Sequence, residues 1–245
     1  MTAANARNNA PGVVPPRGSE NTLDVLTGAS RGVGYETVKL FSAEGAEIIG
    51  VARDATKLNT LASEYAGFQG FAGDITDKNL GAALAGAVAA RWGACDLLIN
   101  NAAVQQWNQG FHAEPLDLLE EHFRINVLAA HWLTHALLPL LLLGREPRII
   151  NVTSGAGTFS ALQDPSMPAY RLTKFALNGM SILYAGDLKG KVAVNVMDPG
   201  WLKTDLGGPN APGEPPDGAV RMLQVATLPF AASGKFWYGA EEHAF

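Results

Sequence analysis

Three side chains in the second half of the chain have types and spacing suited to proton transfer. Ser154, Tyr170 and Lys174 supply a hydroxyl, a phenol and an ammonium. Tyr170 and Lys174 are four residues apart, so on a helix their side chains lie on one face, one turn from each other. The pKa of a free tyrosine is about 10. A neighbouring ammonium favours the phenolate and lowers this pKa. The three groups are the parts needed to move a proton at a carbonyl oxygen.

The same Tyr-x-x-x-Lys spacing occurs a second time, at Tyr35 and Lys39. This copy lies where a first helix should begin, and no strand end bearing a serine precedes it. We therefore interpret it as an ordinary pair on a helix surface. The spacing alone does not identify a site, and its context decides between the two copies.

A glycine-rich turn, Thr27–Gly34, reads Thr-Gly-Ala-Ser-Arg-Gly-Val-Gly. Before it, the apolar run from Leu23 to Leu26 is typical of a buried strand. After it, apolar residues are spread through a segment of helical length that Gly45 closes. The order strand, turn, helix places unpaired amides and the positive helix end at a phosphate, although the glycine spacing differs from G-x-G-x-x-G. The turn is predicted to receive a pyrophosphate; a plain turn between core elements is the alternative.

Strand-like and helix-like segments alternate along the rest of the chain. The later strands are predicted at Ile48–Arg53, Gly70–Gly73, Asp96–Asn100, Arg148–Thr153, Lys191–Met197 and Lys235–Tyr238. The helices are predicted around Lys57–Tyr65, Leu80–Arg91, Leu116–Leu143 and Ala169–Leu188. This order predicts an α/β fold of the Rossmann type, a single doubly wound parallel sheet with helices on both faces. Ligands bind beyond the carboxyl ends of such strands, so Asn101, Ser154 and Pro199 are expected to converge on one edge.

The chain resembles the short-chain dehydrogenase/reductase family from about Leu23 to Tyr238. The motifs that carry the resemblance stand in the family's order: Thr27–Gly34, Asn100-Asn101-Ala102-Ala103 with alanine in place of the last glycine, the tetrad Asn126, Ser154, Tyr170 and Lys174, and Pro199-Gly200. The string from Trp201 to Gly208 and the Pro-rich loop after it resemble the carbonyl-reductase-like branch. Ser154 and Tyr170 are sixteen residues apart, slightly more than is common in the family. The extra length lies in Thr158–Pro168, which is expected to line the substrate pocket.

The resemblance implies an oxidoreductase in which hydride passes from a nicotinamide to a carbonyl carbon while Tyr170 gives its proton to the oxygen. Ser154 would donate a hydrogen bond to that oxygen. Lys174 would bind the nicotinamide ribose and hold down the pKa of Tyr170. Asn126 would hold a water that refills the proton through Lys174. The residues expected to bind the cofactor are Gly28, Ser30, Arg31, Gly32, Val33, Gly34, Arg53, Asp74, Ile75, Asn101, Ala102, Ala103, Tyr170, Lys174, Pro199, Gly200, Trp201, Leu202 and Thr204.

The end of the second strand bears on the choice between NADP(H) and NAD(H). A site for NAD(H) usually has a carboxylate there, whereas the family register gives Ala52 followed by Arg53. The Arg53 guanidinium would pair with a 2′-phosphate, and Arg31 is a second cation on the same side. Asp54 is the competing carboxylate, which we interpret as the N-cap of the next helix. NADP(H) is therefore predicted, with NAD(H) possible. Asp74 resembles the family's adenine-contacting acid, and its alternative is a turn residue.

A loop over about residues 201–218 is expected to cover the nicotinamide and a small carbonyl or alcohol substrate. Its part from Leu206 to Gly218 is too rich in glycine and proline for regular structure, and functional lids are often of this kind. Thr204 is expected at the carboxamide. The aromatic residues considered for an apolar pocket are Trp107, Phe111, Phe159 and Trp201.

Composition narrows the class of partners. A net charge of −5 with no basic run does not favour nucleic acid. A single cysteine, Cys95, allows no internal disulfide, so a reducing compartment, the cytoplasm, is expected. The most apolar stretch, Val127 to Leu143, is interrupted by polar residues and short for a bilayer, and no membrane span is predicted. Residues 1–21 lack the apolar core of a signal peptide and are expected to be a disordered tail, and residues 22–245 a single domain.

Other polar groups are weaker candidates. His131 and His135 have a spacing that can bind a metal, but no third ligand accompanies them, so no metal site is predicted and a helix surface or a subunit interface is preferred. The Leu-rich stretch Leu137–Leu143 and the apolar residues around Lys174–Tyr184 offer surfaces for a homo-oligomer, either dimer or tetramer. Two other functions stay open, an NAD-dependent alcohol dehydrogenase and a non-catalytic NADP(H)-binding redox sensor or regulator.

Overall fold

The apolar runs of the sequence form the strands of one sheet. The computed structural model describes residues 23–106 and 110–245, so the expected tail at residues 1–21 lies outside the described residues. The strands are β1 Leu23–Thr27, β2 Glu47–Ala52, β3 Phe68–Ala72, β4 Leu97–Asn100, β5 Arg148–Val152, β6 Ala193–Met197, β7 Phe236–Tyr238 and β8 Glu241–His243. Their order is β3-β2-β1-β4-β5-β6-β7-β8, with every pair parallel except the last. The predicted doubly wound parallel sheet is confirmed.

Helices cover both faces of this sheet. They are α1 Gly32–Ala43, α2 Ala55–Glu64, α3 Lys78–Arg91, α4 Leu116–Phe123, α5 Ala129–Leu141, α6 Pro168–Asp187 and α7 Pro215–Ala226. Successive strand residues point to opposite faces. Leu26 and Ile48 therefore lie in the apolar cluster under α1, α2 and α7, whereas Val25 and Ile49 lie in the cluster under α3 and α5. This two-sided burial explains why β1, β2, β4, β5 and β6 are mainly apolar, whereas β8 is polar and exposed.

Three elements differ from the sequence prediction. Helix α7 is not among the predicted helices, and its first turn, Pro215 to Gly218, lies in the segment predicted to be irregular. Its start follows a standard signal, with prolines in the first turn and reciprocal capping between Glu214 and Asp217. The single helix predicted over Leu116–Leu143 is interrupted by a π-helical turn at Arg124–Leu128. The exposed antiparallel strand β8 was also not predicted.

The helix α5 and its flanks contain the most apolar stretch of the sequence. Leu133, Leu137 and Leu141 on α5 are buried against the sheet. Across residues 23–106 and 110–245, no helix is both long enough and apolar enough to cross a bilayer.

Candidate active site

A cleft of about 1250 Å³ opens along the carboxyl ends of the parallel strands. Strands β4, β5 and β6 are neighbours, so the segments that follow them, which carry Asn101, Ser154 and Pro199, meet at this edge. Each residue predicted to bind the cofactor lines the cleft, and Ser154 does as well. Asn126 is not among the residues that line the cleft, and it is 2% exposed. The cleft has room for a dinucleotide and a small substrate together.

The glycine turn is shaped for close approach of a ligand to backbone. Gly28 has φ +70°, a conformation that favours glycine, and its amide donates to the carbonyl oxygen of Val51 at 2.8 Å. A Cβ on Gly34 would lie 2.1 Å from the Gly28 carbonyl oxygen. Within the described chain, no side chain caps the amino-terminal end of α1. Its amides and the positive helix end therefore face the cleft, and this geometry fits a pyrophosphate.

We expect Gly34→Ala to disrupt the turn. The added methyl group would meet backbone rather than a movable side chain, so either the turn or α1 must shift. Such overpacking typically destabilises a protein by about 1–3 kcal/mol. The measurements are the free energy of unfolding in urea and the affinity for NADPH, and both should fall. Gly86→Ala is the matched control, because Gly86 is on α3 with nothing within 4 Å of its Cβ position. A Gly34→Ala protein with wild-type cofactor affinity would contradict the role assigned to this turn.

Asn101 and Thr27 hold the glycine turn against the end of β4. The Thr27 hydroxyl oxygen accepts from the amides of Asn101 and Ala102, each at 3.0 Å. The Asn101 side-chain amide donates to the Thr27 carbonyl oxygen at 2.9 Å. The Asn101 side chain is therefore engaged with the turn itself, and its contribution to the cofactor site is to fix that backbone. The role of the Thr27 side chain was not predicted.

The far end of the cleft carries the residues that bear on the cofactor's 2′ position. Arg53 is exposed directly after β2, and within the described residues no carboxylate lies within 4.0 Å of its guanidinium. Asp54 caps α2, where its carboxylate accepts from the Lys57 amide at 3.0 Å, as predicted. Arg31 pairs with Asp205 at 2.7 Å, and both side chains are exposed. Of these two arginines, Arg53 rather than Arg31 has no ion pair among the residues that the structure describes.

Asp74 is a turn residue that also lines the cleft. Its carboxylate accepts from the amide and the hydroxyl of Thr76, both at 2.8 Å. The Thr76 amide is the main cause of a lowered pKa at Asp74, with the hydroxyl and the nearby Arg53 acting in the same direction. Asp74 can therefore be both a turn residue and a contact for an adenine, because the side chain that forms the turn also lines the cleft.

The three proton-transfer side chains come from two neighbouring elements. Ser154 is the second residue after β5, and its hydroxyl oxygen accepts from the Ala156 amide at 3.1 Å. Tyr170 and Lys174 lie one turn apart on α6 and are 6% and 2% exposed. The Lys174 ammonium donates to the carbonyl oxygen of Val152 at 2.8 Å and lies 5.5 Å from the centre of the Tyr170 ring. The structure thus brings the predicted hydroxyl, phenol and ammonium into one cleft.

Burial dominates the titration of this pair. It raises the pKa of Tyr170 well above its usual range, while a hydrogen bond from Ser154 opposes the rise, Asp198 adds to it and Arg171 opposes it. Burial lowers the pKa of Lys174 to about 8, against the influence of Asp198. The pKa of Tyr170 is therefore raised on balance, opposite to the direction expected from Lys174. The physical reason is burial of the phenol, which is the largest cause, while the Lys174 ammonium is directed at a backbone carbonyl.

The second Tyr-x-x-x-Lys copy has no comparable surroundings. Lys39 is exposed and pairs with Glu36 at 3.8 Å. Tyr35 is half-buried and packs against the apolar cluster beneath α1. Neither residue lines the cleft. This copy is therefore a part of the helix surface and its packing, and it provides a matched control for the first.

Asn126 lies in the π-helical turn, at the back of the site. Its side-chain oxygen accepts from the Val104 amide at 2.9 Å, and its nitrogen donates to the Val104 carbonyl oxygen and the Thr173 hydroxyl, both at 3.0 Å. The side chain is therefore used to fix the segment after β4. A small cavity of about 10 Å³, close to the volume one water needs, borders Asn126 and Asn100.

Arg171 holds the lengthened segment that precedes Tyr170. Its guanidinium donates to the carbonyl oxygens of Ser166 at 2.7 Å and Ala161 at 3.1 Å, and it pairs with the Asp164 carboxylate. Arg171 is 8% exposed, whereas its partner Asp164 has a half-exposed side chain. The segment is thereby tied to the helix that carries the phenol, a link that sequence spacing did not indicate.

The aromatic pocket expected from the sequence is only partly present. Trp201 lines the cleft, and its indole donates to the Gly207 carbonyl oxygen at 2.7 Å. Phe111 and Phe159 do not line it and are 55% and 72% exposed. The Phe159 ring instead contacts Phe175 on α6. Trp107 lies outside the described residues.

Asp198 is a cleft residue that the sequence prediction did not select. One carboxylate oxygen accepts from the Gly155 amide at 2.7 Å, and the other accepts from the Gly200 amide at 2.8 Å. An acidic residue directly before a Pro-Gly pair at a strand end was visible in the sequence. Its partner Gly155 lies 43 residues away, so only the sheet topology reveals the contact.

The histidine pair on α5 lies away from the cleft. The His131 and His135 rings are 6.4 Å apart, and the Tyr184 hydroxyl lies 2.7 Å from His131 Nδ1. Among the residues described, no group of three or more His, Cys, Asp or Glu side chains is arranged to hold a metal ion. The pair belongs to a helix surface.

Comparisons of the sequence and of the structure with known proteins agree on one family. Residues 24–214 match the family model described as short chain dehydrogenase. A short chain dehydrogenase of Pseudocercospora fijiensis is 28% identical over 209 residues, which cover 82% of this chain and 67% of the relative. The carbonyl reductase Sniffer of D. melanogaster superposes with a TM-score of 0.84 at 25% identity, covering 92% of this chain and 99% of that one. An NADPH-bound carbonyl reductase from chicken fatty liver superposes with a TM-score of 0.81 at 25% identity, covering 96% and 100%.

Proposed function

The chain belongs to the short-chain dehydrogenase family and is an oxidoreductase acting on CH–OH or carbonyl groups, and we propose that it is an NADP(H)-dependent reductase of a small carbonyl substrate. The observation that carries the proposal is the meeting of Ser154, Tyr170 and Lys174 in a cleft that also contains the glycine turn. The similarity to two carbonyl reductases, one of them NADPH-bound, supports it.

In the proposed mechanism, side chains of the protein donate the proton to the substrate and stabilise the charges that develop. The nicotinamide, when bound, supplies or accepts hydride at the substrate carbon. Tyr170 donates its phenolic proton to the carbonyl oxygen, and its raised pKa keeps the phenol protonated until the oxygen becomes basic. Ser154 donates a hydrogen bond to the same oxygen and stabilises its developing charge. Lys174 binds the nicotinamide ribose and provides the positive charge that stabilises the phenolate once the proton has left.

Return of the proton to Tyr170 is proposed to pass through Lys174. The small cavity bordered by Asn126 and Asn100 is also bordered by Val152, whose carbonyl oxygen accepts from the Lys174 ammonium. The side-chain oxygen of Asn100 is buried there, without a hydrogen-bond partner among the described residues. A water at this position would have polar partners close to Lys174. In this proposal Asn126 shapes the relay by fixing the segment after β4.

The preference for NADP(H) is proposed from Arg53. An exposed guanidinium with no carboxylate within 4.0 Å among the described residues can pair in bidentate fashion with a 2′-phosphate. The carboxylate that would favour NAD(H), Asp54, is engaged in capping α2. Arg31 can join if the phosphate displaces Asp205, since both partners of that ion pair are exposed.

We expect Arg53→Ala to raise KM for NADPH by roughly 10- to 100-fold, the range of a lost charge-assisted hydrogen bond of about 1.5–3 kcal/mol. KM for NADH should stay nearly unchanged. Asp54→Asn is the paired variant: its side-chain oxygen can still cap α2, so only the charge is lost. If Asp54→Asn weakens NADH turnover strongly while Arg53→Ala leaves NADPH turnover intact, the protein is an NAD(H) enzyme.

The direct test of function follows oxidation of NADPH, and separately of NADH, across a panel of aldehydes, ketones and quinones. Turnover with NADPH is the expected result. Turnover with NADH alone would favour the NAD-dependent alcohol dehydrogenase. Tight NADPH binding with no turnover on any member would favour the redox sensor, because that function needs the glycine turn and Arg53 but not the phenol.

Assembly into a homo-oligomer is proposed through one face of α6. Phe175, Ile182 and Leu183 lie on it with 37%, 45% and 72% of their surface exposed. Leu128, in the π-helical turn, is 42% exposed. Large apolar side chains clustered on one helix face are typical of a surface that another subunit covers.

A further inference from the structure

The carboxylate of Asp198 joins two segments of the active site that are far apart in sequence. It accepts from the amide of Gly155, which follows Ser154, and from the amide of Gly200 in the Pro199-Gly200 segment, which lines the cleft. A Cβ on Gly155 would lie 3.1 Å from the carboxylate, so glycine permits this close approach. Each of the two carboxylate oxygens therefore accepts one hydrogen bond, one from the turn that carries Ser154 and one from the Pro199-Gly200 segment.

The same carboxylate lies within electrostatic reach of the proton-transfer groups. It raises the pKa of Tyr170 and of Lys174 and thereby acts against burial at the lysine and with burial at the tyrosine. Arg171 is the other charged side chain that acts on Tyr170, and its guanidinium is paired with Asp164. Ser154 contributes a neutral hydrogen bond.

We infer that Asp198 is a positioning residue for the proposed reaction: it fixes the Ser154 turn relative to the Pro199-Gly200 segment and maintains a negative charge beside Tyr170 and Lys174. The inference rests on the proposed function. An uncharged residue at position 198 would leave one of the two amides without its acceptor. The Asp198 carboxylate keeps Ser154, the Pro199-Gly200 segment and Tyr170 in fixed positions relative to one another. Its negative charge favours the ammonium form of Lys174.

The test is the pH dependence of alcohol oxidation and carbonyl reduction in Asp198→Asn. Without the negative charge the phenolate forms at lower pH, so the limb on which oxidation gains activity should move to lower pH. Reduction, which needs the phenol, should lose activity from a lower pH. We expect a displacement of about one pH unit, at the low end of what a nearby charge produces. A residue that served only the structure would lower kcat without displacing either limb.

Two further variants separate charge from geometry. Gly155→Ala retains every charge but crowds the carboxylate, so kcat should fall several-fold while both limbs stay in place. Glu64→Gln removes one negative charge from an exposed position on α2, and its pH profile should match the wild type. An Asp198→Asn profile that superposes on the wild type, after scaling, would overturn the inference.

A readout independent of turnover distinguishes failure of this inference from failure of the proposed function. If the wild type turns over no substrate, the proposed function has failed, and NADPH binding followed by nucleotide fluorescence becomes the test. Asp198→Asn should then weaken NADPH binding several-fold, because asparagine has one acceptor oxygen for the two amides, of Gly155 and Gly200, that Asp198 joins. Unchanged affinity in that assay would overturn the positioning role by itself. Gly155→Ala serves as the second variant if Asp198→Asn does not fold.

Discussion

Tyr170→Phe is expected to reduce kcat for carbonyl reduction by about 10³-fold, within the range that a positioned acid or base contributes. The substitution removes one hydroxyl from a buried side chain that lines the cleft next to Ser154, and it leaves the ring in place. In the proposed mechanism the phenol is the group that donates the proton to the carbonyl oxygen. The loss should therefore appear in kcat, and the affinity for NADPH should remain near that of the wild type.

Tyr35→Phe is the matched control for this experiment. It removes the same hydroxyl from the second Tyr-x-x-x-Lys copy, which lies outside the cleft. Its kcat should equal that of the wild type. Thermal unfolding of both variants should show changes of no more than about 1 kcal/mol, the net value of one hydrogen bond. Most of the activity surviving in Tyr170→Phe, with both proteins folded, would show that another group moves the proton.

The sheet and the edge at which the site lies could be predicted because the signals are local. Strands β1, β2, β4, β5 and β6 are largely buried on both faces, so each reads as a short, mainly apolar run between helical stretches. Parallel topology then places the residues after β4, β5 and β6 together, and these include Asn101, Ser154 and Pro199. Helix α7 also has a recognisable start at Pro215, but the glycine and proline content before it favours a loop.

The features that could not be predicted depend on contacts between distant segments. Nothing in the local sequence shows that the Lys174 ammonium donates to Val152, or that Arg171 is bonded to Ser166 and Asp164. The direction of the Tyr170 pKa was wrong for the same reason: helix spacing gives the distance to Lys174 but not the degree of burial. Phe159 was misassigned because an exposed and a pocket-lining aromatic residue have the same sequence signature.

Lys174→Met is expected to abolish turnover and weaken NADPH binding, and at the same time to stabilise the protein near neutral pH. The activity should fall by about 10³-fold, since both the ribose contact and the charge that stabilises the phenolate are lost. The effect on stability has the opposite sign because burial lowers the pKa of Lys174 from 10.5 to about 8. At neutral pH, holding the charged form in the fold therefore costs about 3 kcal/mol. Loss of the hydrogen bond to Val152 offsets about 1–3 kcal/mol of that.

The pH dependence gives this prediction its sign. Between about pH 8 and pH 10.5 the folded wild type has lost the Lys174 proton while the unfolded chain still binds it, so the free energy of unfolding of the wild type rises with pH. Lys174→Met lacks this group, so its advantage should be largest below about pH 8 and should shrink by about 2–3 kcal/mol on approaching pH 10. Urea unfolding of both proteins at the two ends of this range measures the difference.

Lys39→Met is the control, because Lys39 is exposed and pairs only with Glu36 within the described chain. Its stability relative to wild type should show no such pH dependence. A residue retained at the expense of stability is typical of a functional site. If the difference between wild type and Lys174→Met does not vary with pH, the Lys174 amine is not held in a desolvated position, and the electrostatic role proposed for it in stabilising the phenolate of Tyr170 fails with it.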